Sequence, residues 1–260
     1  MTEVHKISTP ATGLETLEAR ILRRDGEAPA YLAKPAGADN CPIILIAQEI
    51  FGLNDHIRDI ARRFAALGYL AIAPDFFAGV GDPSRAPDIN AIRAIVAKTP
   101  DAATMEVFDA ALAFAAARGG DSARAAITGF CWGGRIAWLY AAHNPSLRAA
   151  IPWYGRLDGD HTPNHPRWPV DIAGGLKVPA LGLYGGADPS IPLAQVEEMR
   201  ARLRASGARG EIHVYEGAPH AFFADYRESF RPEPARDAWE RTLSFLRARG
   251  ASLKNRWRAP

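Results

Sequence analysis

Cysteine is scarce: the 260 residues include two, Cys41 and Cys131. A lone pair does not make a disulfide framework, and neither belongs to a Cys/His group at zinc spacing, so no metal site is expected. A bias toward one charge sign is also missing. Lys and Arg number 31 against 29 Asp and Glu, a net +2 with the signs interspersed, which leaves no electrostatic footprint for nucleic acid or an anionic membrane. The basic stretch from Lys254 to Arg258 is short and reads as a solvated end. No apolar run approaches the roughly 18 residues that a membrane helix needs. Residues 1–30 carry charges throughout and lack a signal-peptide core. The expected compartment is the cytoplasm, where an unpaired thiol stays reduced.

What is present is apolar mass: 48% of residues are hydrophobic and 23% charged, enough for a substantial core. No repeat, linker or second core interrupts the chain, so one domain over 1–260 is expected, with loose termini at 1–13 and 250–260. Leu17–Leu22 and Ala28–Ala33 read as strands joined by an Asp25-Gly26 turn. Ile43-Ile44-Leu45-Ile46-Ala47 is a continuous apolar run, the mark of a strand buried on both faces of a parallel sheet. Asn54 or Asp55 caps a helix whose stripe is Ile57, Ile60, Phe64 and Leu67. Further strands are expected at Tyr69–Ala73, Ala149–Trp153, Ala180–Tyr184 and Glu211–Tyr215. Helices are expected at 89–97, 101–118, Pro192–Ser206 and Pro234–Arg249, and Gly155–Gly175 reads as a long irregular loop. Strands alternating with helices imply a three-layer α/β/α sandwich around a mostly parallel sheet.

The chain is organised around residues 125–134, where an apolar run ends in Gly129-Phe130-Cys131-Trp132-Gly133 and a helical pattern follows at once. This is the layout of a nucleophile elbow, which lifts one side chain above the sheet edge at a sharp strand-to-helix turn. The raised residue is Cys131, set where the first N–H groups of a helix favour a thiolate. A structural cysteine in a glycine-rich turn would carry the same five residues, so the pattern needs its context.

That context comes from the ends of later strands, where active sites of open parallel sheets lie. Asp188 follows Leu181-Gly182-Leu183-Tyr184 on a glycine-rich loop, and His220 follows the strand ending at Tyr215. Nucleophile, acid, histidine is the chain order of an α/β-hydrolase triad. Asp75 also follows a strand and is the rival acid, though it precedes the elbow. His56, His143, His161, His165 and His213 fit structural or exposed roles better.

With these pieces assembled, the chain resembles the dienelactone hydrolase (carboxymethylenebutenolidase) family of the α/β-hydrolase fold. The resemblance rests on Gln48-Glu49-Ile50-Phe51-Gly52, Ala73-Pro74-Asp75, the cysteine elbow with Gly134, Trp153-Tyr154-Gly155, Tyr184-Gly185-Gly186-Ala187-Asp188 and Pro219-His220-Ala221-Phe222. It implies Cys131 as nucleophile, His220 as base, Asp188 as its orienting carboxylate, and Glu49 as acceptor of the thiol proton once substrate binds. The elbow layout places the oxyanion hole at the backbone N–H groups of Trp132 and, from the loop after the 43–47 strand, Ile50, and no cofactor is expected. The family's carboxylate-binding arginine positions align with Gly79 and Ala224 here, with Arg85 and Arg227 nearby as substitutes. Phe76, Phe77, Trp153, Phe222 and Phe223 are therefore expected to form an apolar substrate-binding wall.

The expected activity is hydrolysis of a small carboxylic ester or lactone through a thioester, by a monomer or homodimer. A thioesterase, peptidase or other acyl hydrolase of the same fold, a thiol-redox protein and a non-catalytic hydrolase-fold binder are the alternatives.

Overall fold

The computed structural model describes residues 7–24 and 26–252. The Asp25 half of the expected turn, residues 1–6 of the expected loose start and the basic tail lie outside the described residues. Eight strands, β1 (Leu14–Arg23), β2 (Gly26–Pro35), β3 (Cys41–Ala47), β4 (Leu70–Pro74), β5 (Gly120–Phe130), β6 (Ala149–Trp153), β7 (Ala180–Gly185) and β8 (Gly210–Tyr215), form one sheet in the order β1-β2-β4-β3-β5-β6-β7-β8. β1 and β2 are an antiparallel hairpin, β2 runs antiparallel to β4, and every pairing from β4 through β8 is parallel. The helices are α1 (Asp55–Ala66), α2 (Ile89–Lys98), α3 (Asp101–Ala116), α4 (Trp132–His143), α5 (Pro169–Ile172), α6 (Leu193–Ala205) and α7 (Pro232–Ala248). This is the three-layer, mostly parallel α/β-hydrolase arrangement.

The apolar runs become central strands because only residues without polar side chains tolerate helices on both faces. All seven residues of β3 and all five of β4 and β6 are buried. Asn54 caps α1, its side chain accepting from the Ile57 N–H at 3.1 Å. Ile57, Ile60 and Phe64 face the core, but Leu67 does not. The helix ends before it, and the reversal at Gly68 (φ 92°) leaves Leu67 43% exposed. The expected loop at 155–175 contains the short α5 and a 3-10 turn at Ala173–Gly175. Their four and three residues are too short for periodicity to reveal.

Strand register positions the chemistry. Ala47 lies beside Gly129, Phe130 beside Trp153, Trp153 beside Leu183, and Gly185 beside Tyr215. The carboxyl ends of β3, β5, β6, β7 and β8 are thus in step, and the five loops that leave them share one edge. At the centre, β5 runs into α4 with almost no clearance. A Cβ on Gly129 would strike the Gly133 carbonyl, and one on Gly133 would strike the carbonyls of Ala47 and Gln48. Backbone atoms are the obstacle, so no rotamer change relieves the clash. Gly133→Ala is expected to lose about 3 kcal/mol of stability, read as a lower urea midpoint at unchanged m-value.

Candidate active site

Cys131 stands between β5 and α4 with φ 55° and ψ −117°. A non-glycine residue at positive φ is costly, by about 1–3 kcal/mol, and persists only when its surroundings impose it. Here the Cys131 N–H is bonded to the Trp153 carbonyl at 3.1 Å, and its own carbonyl accepts from Gly134 N–H at 2.9 Å. The turn holds the half-buried thiol at the N-terminus of α4, where helix N–H groups lack intrahelical acceptors.

His220, on the loop after β8, has its Nδ1 2.6 Å from Asp188 Oδ2, on the loop after β7. The Asp188 carboxylate is buried, and its other oxygen accepts the Ser190 N–H at 2.8 Å, which fixes its orientation. Burial pulls the imidazole pKa down, but the Asp188 hydrogen bond and the neighbouring Cys131 sulfur outweigh it and hold the value at about 10. The Tyr154 ring stands edge-on to the imidazole at 5.2 Å. The rival acid has other work. Asp75 Oδ1 accepts from Gln48 Nε2 at 3.3 Å and from the Phe77 N–H at 2.9 Å, bracing the Gln48-Glu49 loop.

Glu49 is fully buried, and its Oε2 accepts the Tyr226 hydroxyl at 2.7 Å. Tyr154, also fully buried and at φ 37°, keeps a hydroxyl without a partner. Burial, then the charges of Glu49 and Cys131, push its pKa well above the ordinary phenol value. Cys131, Trp132, Ile50, Tyr154 and His220 all line one cavity of about 840 Å³.

The walls of that cavity differ from the sequence expectation. Phe76, Phe77, Trp153, Phe222 and Phe223 lie beneath the site, at most 4% exposed, and do not line it. They pack in an aromatic layer: Phe76 on Phe108 at 4.7 Å, Phe77 on Trp132 at 5.1 Å, Trp153 on Phe223 at 4.5 Å, and Phe222 on Tyr154 at 5.5 Å. Large rings gain most from complete removal from water, so they go under the loops and not into the mouth. The mouth is cationic. Arg93 from α2, Arg156 after β6 and Arg227 after His220 line it, and no ion pair engages these three among the described residues. Arg156 lies over Trp168 at 5.6 Å and Arg227 over Phe51 at 5.3 Å. Arg135 also reaches the cavity, but its guanidinium is committed to Asp101 at 2.6 and 2.7 Å. Arg85 points into solvent, 3.3 Å from Asp82.

Of the remaining histidines, His143 pairs with Asp109, His161 with Asp171 and His165 with the Thr99 carbonyl, while His213 lies within β8. His56 is buried against Asp225 at 3.1 Å. Tyr226 and Arg156 carried no sequence signal beyond lying on loops near the strand ends, and Arg93 none beyond lying on the helix expected at 89–97. Among the described residues, no cluster of His, Cys, Asp and Glu has the form of a metal site.

Known proteins carry the same framework. Residues 28–250 match the model of the dienelactone hydrolase family. A Methylorubrum extorquens protein named "Putative carboxymethylenebutenolidase" is 51% identical over 248 residues, covering 95% of this chain and 85% of its own. A Bradyrhizobium protein named "Probable 2-oxo-3-(5-oxofuran-2-ylidene)propanoate lactonase" is 32% identical over 84% of this chain and 88% of its own. The crystal structure of a "Putative Dienelactone Hydrolase" from Klebsiella pneumoniae superposes with a TM-score of 0.88 at 50% identity, covering 90% of this chain and 98% of that one. With the elbow, the Asp188–His220 pair and this match over most of its length, the chain belongs to the dienelactone hydrolase family and is a hydrolase of the α/β-hydrolase fold.

Proposed function

We propose that this hydrolase cleaves a small carboxylic ester or lactone through a thioester on Cys131. The observation that carries the reading is the 2.6 Å Asp188–His220 contact opening on the same cavity as a cysteine held at positive φ. The Asp188 hydrogen bond favours the protonated imidazole, which leaves a separate base to take the thiol proton. Glu49 fills that role. The S–H bond breaks, the proton passes to the Glu49 carboxylate, and the sulfur attacks the carbonyl carbon as thiolate. The oxyanion is held by the N–H groups of Trp132 and Ile50, each such donor worth about 3 kcal/mol in the transition state. The His220 imidazolium gives its proton to the leaving oxygen. Neutral His220 then takes a proton from water, whose oxygen attacks the thioester. Collapse expels the thiolate, which recovers the proton that Glu49 held, and one water has been added across the ester bond.

The arginine-lined mouth favours a substrate with an acidic group, and a lactone bearing a carboxylate is the class that fits. The name of the Bradyrhizobium relative gives that class for its own substrate. Arg227, half-buried and next to the Tyr226 that bonds Glu49, lies best placed to take the acid. The aromatic residues expected to bind an apolar group support the site from beneath.

Incubation with an activated ester and intact-mass analysis at short times is expected to show one acyl group per chain, mapping to Cys131. Acyl label elsewhere, or none, removes the cysteine mechanism. Asp188→Asn is expected to keep the fold and lose turnover by about 10³–10⁴. The sign of the pH effect follows from the raised pKa: the protonated ring is the active acid, so rate persists through neutral pH and is lost as pH climbs toward about 10. Removing the hydrogen bond that raises it moves this alkaline limb to lower pH, as pH–rate profiles of the two proteins will record. Arg227→Met is expected to lower kcat/KM for an acidic lactone by about ten- to a hundredfold while sparing a neutral one.

A further inference from the structure

Glu49 presents its two oxygens to different surroundings. Oε2 accepts the Tyr226 hydroxyl at 2.7 Å, whereas Oε1 is buried with no hydrogen-bond partner. Among the described residues no salt bridge reaches this carboxylate. An orphaned buried acceptor is destabilising, so its retention on the loop that leaves β3 at the site edge calls for a reason.

Tyr226 itself is firmly seated. Its ring lies 4.9 Å from that of His56, and its chain neighbour Asp225 bonds His56 Nδ1 at 3.1 Å and the Arg63 guanidinium. Arg63 also bonds Asp59 at 2.6 Å. His56, Asp59 and Arg63 lie on one face of α1 at helical spacing, so a buried charge network unconnected with substrate sets the height of residue 226. Glu49, Cys131, Tyr226 and Arg227 all act on the Tyr154 hydroxyl, whose residue lines the cavity, and His56 faces the Tyr226 ring from α1.

We infer that Tyr226 is the positioning residue for Glu49: its hydroxyl holds Oε2, leaving Oε1 as the atom that receives the Cys131 thiol proton. The inference rests on the reading of Glu49 as that acceptor. In the step, S–H breaks and O–H forms at Oε1, while Tyr226 keeps its own proton. The phenol donates to the carboxylate before the transfer and to the carbonyl oxygen of the carboxylic acid after it. Burial and the Glu49 carboxylate push its pKa far above the ordinary value, so it remains a donor throughout.

A double-mutant cycle on the full chain tests the assignment: wild type, Tyr226→Phe, Glu49→Gln and the double variant. Each is assayed for single-turnover acylation of Cys131 by p-nitrophenyl acetate across pH. Phenylalanine keeps the ring against His56, and thermal melts report whether each variant folds. In the wild-type background, Y226F is expected to slow acylation by about ten- to a hundredfold. A carboxylate that loses a donor holds its proton more readily, so the acidic limb of the profile is expected to move up by about one pH unit. In the E49Q background, which is itself slow, the hydroxyl's removal is expected to change nothing. Wild-type rates in folded Y226F, or equal losses from Y226F in both backgrounds, would overturn the role of Tyr226. Were E49Q itself as fast as wild type, the Glu49 reading would fall, and an unacylated wild type would remove the cysteine mechanism beneath both.

Discussion

The structure depends on one near-collision of backbone. At the end of β5 the chain turns into α4 so tightly that Gly129 and Gly133 face bare carbonyls, and Cys131 between them takes a conformation that L-residues avoid. Such strain survives only where neighbours over-determine it. β3, β6 and α4 supply that constraint through fully buried strands and the Cys131–Trp153 backbone bond. The return is a sulfur raised above the sheet edge at a helix N-terminus, level with loops from four other strands.

Around this point the protein buries polar groups and braces each from a second element. Asp188 orients His220 and is itself oriented by a backbone N–H; Gln48 is braced by Asp75, and Glu49 by Tyr226. Arg135, one turn into α4, ties the elbow helix to the start of α3 through a bidentate pair with Asp101 and lies 4.3 Å over the Trp168 ring. The loop after β8 makes several contacts in a short span: His220 with Asp188, Asp225 with α1, Tyr226 with Glu49, and Arg227 at the mouth.

The cavity is a cationic mouth on an aromatic floor. Rings that are apolar on both faces complete their burial between sheet and loops, while guanidinium groups stay where water or an anionic ligand solvates them. The positions that align with the family's substrate arginines hold a glycine at positive φ and a buried alanine. Positive charge reaches the cavity instead from α2, from the loop after β6 and from three residues past Ala224.

Much of this was legible in one dimension, because some constraints are local. A short apolar run bounded by turn residues fits a strand covered on both sides, so β3, β6 and β7 were readable within a residue or two. The elbow was readable because close approach requires glycine at fixed spacing, and the order Cys131, Asp188, His220 because each follows a strand end. Which aromatic rings floor the site and which residues line it was not readable, since Phe76 and Phe223 become core only through neighbours such as Phe108 and Trp153. Leu67 left its stripe because a turn ended the helix first. The pairing of Glu49 with Tyr226 joins residues 177 apart. Local propensities and spacing thus determined the main strands, the long helices and the strand-end positions of Cys131, Asp188 and His220 by themselves. Partners brought together across the sheet, whose distances are set by packing and not by sequence separation, were decided by the tertiary structure alone.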